Sequence, residues 1–420
     1  MRSTYTRQLT QSAKPTASMQ DKLRKLSNQF NHGMSQRDFS LARLSCEEVL
    51  KMMPNNMSVL SDYGLSLMRE GNYQKSYKIY KRIYNSPNRA QAAESWLDGL
   101  AEVCGWLNKP SELQRYGHES LRLADDHFKS VPAQWLPLTP IKPLNTELPF
   151  KNIIAFSLYG ADPRYCETLI KNVETAKELY PSWVCRIYLD DTVPQHIWLR
   201  LQQVNAQLVD MTSEKEIPPT LWRFLVMDDL SVERFMVRDA DSLIAEREQA
   251  AVEAWLKSPY YFHHMRDYFT HTELLLAGMW GGVNGVLSNI EQKIRSFVVQ
   301  YKGRERFTDQ YFLKAVLWST IRQSILNHDE LFDFHQAQPW PNHPPIRWKT
   351  KEFHVGSNAG YQYVVGPSSL IDKSMQAINL VINGKPYTYY SVVRDGQWRL
   401  TLPFFLVDDF QAGLIEINPV

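Results

Sequence analysis

The chain of 420 residues is 44% hydrophobic and 22% charged with a formal net charge of +2, an ordinary globular composition at a length that suits two or three domains. So small a charge gives no support for nucleic-acid binding as the main task, and no run approaches the ~18 consecutive apolar residues of a membrane span. Four scattered cysteines, Cys46, Cys104, Cys166 and Cys185, form no CxxC pair and read as reduced, buried thiols of a cytoplasmic protein.

Met1–Met19 is polar and carries Arg2 and Arg7 without an apolar run. No signal peptide is expected there, and the segment reads as disordered. Residues 20–130 contain an internal repeat. Arg37-Asp38-Phe39-Ser40-Leu41-Ala42 aligns with Gly71-Asn72-Tyr73-Gln74-Lys75-Ser76, Cys46 matches Tyr80 on the same 34-residue offset, and Pro54 falls beside Pro87. A small residue where two helices cross and a proline after the second resembles tetratricopeptide repeats. A degenerate third unit is expected over Ala90–His127, with Gly105 one step from Gly71. Each helix pair needs a neighbour to bury its apolar face. Such a region either orients a polymeric or protein partner or serves as a helical cap on the rest of the chain. Its 19 Lys and Arg against 13 Asp and Glu over residues 1–130 suit an acidic partner or a solvated face equally. Residues 131–150 hold Pro132, Pro137, Pro140, Pro143 and Pro149, which excludes regular helix and predicts a stiff, extended linker.

From Asn152 strands and helices alternate: a strand at Ile153–Leu158, the loop Tyr159–Asp162, a helix over Tyr165–Glu178, and a strand at Val184–Leu189. This order predicts a parallel sheet with ligands at the carboxyl ends of its strands. Tyr159 and Gly160 follow the first strand, where nucleotides dock in such sheets, and glycine permits close backbone approach. After Phe235-Met236-Val237 comes Arg238-Asp239-Ala240-Asp241-Ser242. In an extended strand residues two apart share a face, so both carboxylates would project together at the strand end. They repel unless something positive lies between them, and a hard divalent cation bridging substrate phosphates meets that need; the alternative is a solvated turn at the strand end. Arg223 and Arg238 are candidates for diphosphate contacts, their guanidinium forks matching phosphate oxygens; Arg238 has the alternative of a neighbouring carboxylate. A helix is expected over Glu246–Lys257, a strand at Tyr260–Phe262, then His263–Asp267, the glycine-rich Gly278–Gly282, and a helix beginning near Val283.

This succession, over roughly residues 150–365, resembles GT-A-type glycosyltransferases. The resemblance implies an α/β fold with a Rossmann-related mixed sheet over 151–370, flanked by the all-α helical-repeat domain and by a small antiparallel β module over 371–420. It also implies Mn2+ or Mg2+ held by Asp239 and Asp241 against a nucleotide-sugar donor, with a glycan or protein acceptor. A late histidine completes the metal site in many members, and His354 is the matching position. Arg266 and Asp267 fall where the transferred sugar is contacted. Thr308-Asp309-Gln310 matches a helix start whose acid faces sugar or acceptor. Asp309 is thus the first candidate for general base and Asp267 the second, while Thr308 or Asp309 can also cap the helix. Trp280, between Gly278 and Gly281-Gly282, is a candidate platform for the acceptor, the glycines allowing a tight or mobile loop; the twelve tryptophans serve sugar stacking and core packing alike. Two rival readings stay open: a repeat scaffold fused to a degenerate transferase domain, and a nucleotidyltransferase, for which no glycine-rich phosphate loop with a following lysine is present. In the tail, Asn383-Gly384 between Ile378–Ile382 and Tyr387–Val393 is a hairpin signal, followed by Asp395-Gly396 and two further strands.

Overall fold

The computed structural model describes residues 17–137, 140–303, 305–350 and 353–420. The chain divides into two compact units. The first comprises residues up to His127 together with Tyr268–Leu274 and Leu331–Gln336. Its helices are α1 (Ala17–Gln36), α2 (Phe39–Met52), α3 (Met57–Arg69), α4 (Tyr73–Tyr84), α5 (Trp96–Trp106) and α6 (Pro110–Phe128, whose last residue belongs to the second unit). Asp38 and Asn56 cap α2 and α3 by accepting from the amides of Leu41 and Val59. The paired positions of the 34-residue repeat are equivalent in burial: Ala42 and Ser76 are fully buried, as are Cys46 and Tyr80. Ser76 Oγ donates to the Gly64 carbonyl at 2.7 Å, which lets a polar residue occupy the crossing. Phe269 fills the space beside Gly105, and Phe332 that beside Gly117. Of the segment expected to be disordered, residues 1–16 lie outside the described residues, whereas Ala17–Met19 already belong to α1. The reason is apolar contact, since Met19 packs on the core made by Leu23, Leu26, Phe30 and Cys46.

The second unit is built on a mixed sheet. Among the described residues it has seven strands: β1 (Asn152–Leu158), β2 (Val184–Leu189), β3 (Gln207–Asp210), β4 (Arg234–Arg238), β5 (Phe262–Arg266), β6 (Met279–Val283) and β7 (Ile325–Asp329). Their order is β3-β2-β1-β4-β6-β5-β7. β1 runs parallel to β2 and to β4, with Ile153 opposite both Val184 and Phe235. β6 is antiparallel to β4 and β5, and β7 is parallel to β5. Every residue of β1 is buried, as expected of a central strand covered on both faces. The strands are linked by α7 (Pro163–Leu179), α8 (Gln195–Gln203), α9 (Glu246–Leu256) and α10 (Ile290–Gln300). A further helix runs as α11 (Thr308–Phe312), a π-helical turn at Leu313–Leu317, and α12 (Trp318–Ile321). A 3-10 helix, Pro219–Asp228, precedes β4.

Three expectations for this region need correction. The strand placed at Tyr260–Phe262 runs instead from Phe262 through His263 and His264 to Arg266. The glycine-rich Gly278–Gly282 is no loop, because Met279–Val283 is the strand β6 between β4 and β5. A side chain at Gly281 would stand 2.5 Å from the Phe235 carbonyl, so glycine there answers to close packing. The helix expected near Val283 begins at Ile290, where Asp228 accepts from the amides of Ile290 and Glu291.

The C-terminal segment comprises β8 (Tyr361–Pro367), β9 (Met375–Ile382), β10 (Lys385–Val392), β11 (Gln397–Pro403), α13 (Phe404–Gln411) and β12 (Ile415–Pro419). The hairpin turn holds Asn383 and Gly384 at positive φ, 51° and 74°. Where one small sheet was expected there are two, ordered β10-β9-β12 and β11-β8. Their apolar faces share a core with the main sheet: Ile378, Leu380, Tyr389, Trp398 and Leu400 join Ile154, Phe156, Leu169 and Ile187. Tyr389 donates to Glu167 of α7 at 2.5 Å, and Arg200 of α8 grips the same carboxylate. The proline-rich stretch is similarly fastened within the second unit, by Gln134 to Thr320, Pro137 to Tyr261 and Lys142 to Arg234; residues 138 and 139 lie outside the described residues.

Candidate functional site

Strand order reverses at β1: β2 and β3 lie to one side of it and β4 to the other. Such a switch point opens a crevice beyond the carboxyl ends of the two strands. Two chain segments emerge there. After β1 comes Tyr159–Asp162, with Tyr159 46% exposed, Gly160 at φ +78°, and the Gly160 amide donating to Thr192 Oγ1 at 2.7 Å. Asp162 then caps α7 by accepting from the Arg164 amide. After β4 comes Asp239-Ala240-Asp241, which is a turn, its Ser242 amide donating to the Asp239 carbonyl. The pairing of the two carboxylates therefore follows from that turn rather than from strand alternation.

Each carboxylate has a guanidinium. Arg223, on the 3-10 helix and almost wholly buried, donates through Nη1 to Asp239 Oδ1 at 2.5 Å and to the Arg238 carbonyl at 2.8 Å. Its Nη2 donates to Asp309 Oδ2 at 3.0 Å, and its amide to Ser157 Oγ of β1. Arg164 donates through Nη2 to Asp241 Oδ2 at 2.5 Å. Its guanidinium carbon lies 5.0 Å from the Tyr165 ring centre and 4.7 Å from that of Tyr361. The side chain of Asp239 is 40% exposed, that of Asp241 16% and that of Asp309 9%. Burial raises the Asp241 carboxyl above its ordinary range, and the charge of Asp239 adds to the effect against Arg164. Asp309 is also raised, by burial first, with Arg223 opposing and Asp239 reinforcing. Three carboxylates and two guanidiniums leave one formal negative charge, and burial is the first cause of both raised carboxyls.

The donors at this turn are carboxylate oxygens. Hard oxygen ligands favour Mg2+ or Mn2+, and the two arginines stand where positive charge is called for. A β-carbon at Gly278 would collide with Asp239 Oδ2, so the glycine is what makes room for that carboxylate. Among the described residues, no group of three or more His, Cys, Asp and Glu is placed to hold a metal ion. His354 accordingly does not complete a three-ligand cluster with the aspartates. Its loop nevertheless runs beside them: the Ala359 amide donates to the Asp241 carbonyl at 2.6 Å, and Ser242 Oγ to the Gly356 carbonyl at 3.2 Å. Lys351 and Glu352, just before it, lie outside the described residues. A cation held by one or two carboxylates, with diphosphate and water completing its shell, needs no third protein ligand.

Other candidates from the sequence are placed elsewhere. Arg238 is 3% exposed and bonded to Glu248 at 2.9 Å and to the carbonyls of Val237 and Trp280; it secures the sheet and faces no ligand. Arg266 is fully buried against Asp329 at 3.0 Å, which removes it from any sugar. Trp280 is fully buried in β6, edge-on to Phe224 and Phe235, so it cannot stack on an acceptor, and Gly281 and Gly282 are strand residues beside it. Asp267 pairs with Arg247 and accepts from the Val355 amide at 2.9 Å, which ties the end of β5 to the loop after His354. Not singled out by the sequence reading as site residues were Arg164, Tyr165 and Tyr361. Arg164 carried a signal: a cation in the first turn of a helix opposes the helix dipole and needs a partner.

No family model matches the sequence, and none of the curated proteins matches it. Among solved structures, the chain is similar to a lysine-to-methionine variant of the O-GlcNAc transferase of Thermobaculum terrenum, with a TM-score of 0.31 and 14% identity over 53% of this chain and 47% of that one. It is also similar to a mannosyltransferase from Pyrobaculum calidifontis in complex with GDP-Man and Mn2+, with a TM-score of 0.30 and 10% identity over 56% of this chain and 67% of that one. The chain thus spans less than half of the first. At these scores neither likeness carries an argument about this chain. Among the described residues, no helix is long and apolar enough to cross a membrane.

Proposed function

We propose that this chain is a metal-dependent glycosyltransferase that moves a sugar from a nucleotide-sugar donor to a hydroxyl of a glycan or protein acceptor. The observation that carries the reading is the turn Asp239–Asp241 at the switch point between β1 and β4, with a third carboxylate, Asp309, joined to it through Arg223. In this reading Asp239 and Asp241 hold Mn2+ or Mg2+, which when bound neutralises charge on the departing nucleoside diphosphate. Tyr159 and Gly160 line the approach for the nucleotide. Arg223 fixes Asp239 and Asp309 in one frame. Transfer forms a bond between the acceptor oxygen and the anomeric carbon and breaks the bond from that carbon to the diphosphate. If the configuration inverts, the acceptor proton passes to Asp309, whose raised affinity for protons suits a general base. The helical first unit, with its tetratricopeptide-like period, would orient the acceptor.

The test is release of nucleoside diphosphate from a panel of nucleotide sugars, with and without EDTA, for the native chain and for Asp241→Ala. Activity that survives EDTA, or full activity in Asp241→Ala, refutes the metal role.

A second reading has its own support. Arg164 and Arg223 already neutralise both aspartates, an arrangement stable without a cation, as in a non-catalytic binding protein. That reading gains if Mn2+ with a nucleoside diphosphate leaves the melting temperature unchanged.

A further inference from the structure

Arg164 is an uneconomical way to neutralise Asp241. It stands in the first turn of α7, where the helix dipole disfavours a cation. Of its five N–H donors, Nη2 alone has a side-chain partner among the described residues, and Nε is buried without one. The guanidinium carbon lies 5.0 Å and 4.7 Å from two aromatic ring centres, and the donors left without a partner are of the kind that grip a phosphate.

One of those rings comes from the C-terminal segment. Tyr361 opens β8, and the stretch before it lies along the aspartate turn: Ser242 Oγ reaches the Gly356 carbonyl, and the Ala359 amide reaches the Asp241 carbonyl. Behind it, the Phe404 amide donates to the Gly360 carbonyl at 2.9 Å, and Thr401 Oγ1 donates to Asp162, the cap of α7. The C-terminal strands are thereby fixed to both walls of the crevice within the second unit.

We propose that Arg164, clasped by Tyr165 and by Tyr361 of the C-terminal segment, is a phosphate-binding residue that Asp241 holds in place until a divalent cation takes over that carboxylate. The proposal rests on the metal reading above and adds a competitor to it. Arg164 and the cation want the same oxygens, so removing the arginine frees Asp241. A displaced guanidinium keeps its aromatic clasp and turns its donors to the diphosphate. The C-terminal strands then form one wall of a subsite and are no detached module.

Calorimetric titration of the full chain with Mn2+ alone, and then of the Mn2+-loaded chain with inorganic pyrophosphate, tests this. Arg164→Met is expected to bind Mn2+ about tenfold more tightly and pyrophosphate about tenfold more weakly, the size of one charge-assisted hydrogen bond on each side. These changes have opposite signs, which a merely structural residue would not produce. Arg164→Lys keeps the charge and loses the fork, so Mn2+ affinity should stay within about twofold while pyrophosphate weakens. Tyr361→Leu should act the same way, and it serves if the arginine variants fold poorly. If Arg164→Met weakens both ligands or changes neither while the native chain binds both, the proposal is overturned and the metal reading stands. If the native chain binds no Mn2+, both fall.

Discussion

Arg223 is the joint on which the site geometry depends, and its removal has a calculable effect. The side chain of Arg223 is 5% exposed and spans Asp239 and Asp309, which are 40% and 9% exposed. In Arg223→Met the two partners should respond differently. Asp239 reaches water, so its pair is worth under about 1 kcal/mol. Asp309 does not, and breaking a buried pair by removing one partner costs about 3–5 kcal/mol. The expected loss is therefore about 3–5 kcal/mol, nearly all from Asp309. The double variant Arg223→Met/Asp309→Asn should recover most of it, because the stranded charge is gone. Urea unfolding of the native, single and double variants gives the coupling directly. A single-variant loss under about 1 kcal/mol, or a double variant no more stable than the single, would refute the idea that Arg223 compensates a buried charge.

Acid should destabilise the second unit through its histidines. Burial holds His263 well below its ordinary value, and burial with Arg247 brings His328 down to about 4. The unfolded chain takes up protons near pH 6.5 while the folded chain does not. Stability should therefore be flat above about pH 7 and fall by roughly 2–3 kcal/mol between pH 7.5 and 5.5; a urea midpoint that rises on acidification contradicts this. Trp280→Ala should cost about 3–5 kcal/mol as a cavity in the sheet, read as a lowered melting temperature, whereas an intact melt with weakened acceptor binding would restore Trp280 as an acceptor platform. Gly278→Ala sets a methyl group against Asp239 Oδ2; Mn2+ affinity should drop about tenfold with the fold intact, and an unchanged affinity removes Asp239 Oδ2 from the cation site.

The alternation of β1, α7 and β2 was legible from local periodicity, and so was the position of two acids just beyond β4, although they stand on a turn and not on an extended strand. What the sequence hid was direction. For Arg238 the alternative of a neighbouring carboxylate is the one realised, by Glu248 ten residues on, whereas the partner of Arg266, Asp329, lies 63 residues away, and no local pattern announces such a pair. Gly281 and Gly282 read as a loop because glycine favours turns; they are strand residues because the carbonyl of Phe235 and the ring of Phe262 occupy the space of a β-carbon. The Asn383-Gly384 turn fixed the β9–β10 hairpin locally, while the pairing of β11 with β8, from Gln397 with Pro367 to Pro403 with Tyr361, joins distant stretches and left no trace. Tyr361 reaches Arg164 only through that long-range pairing. Arg164 itself was readable in principle, as a cation in the wrong turn of a helix.

The central claim is that Asp239 and Asp241 together hold a divalent cation beside a diphosphate. Electron paramagnetic resonance of Mn2+ titrated with the full chain, in the presence of a nucleoside diphosphate, measures it most directly. The account predicts that free Mn2+ signal is lost on adding the native chain and is restored by Asp239→Asn/Asp241→Asn. Equal Mn2+ uptake by the double variant, or none by the native chain, would contradict it.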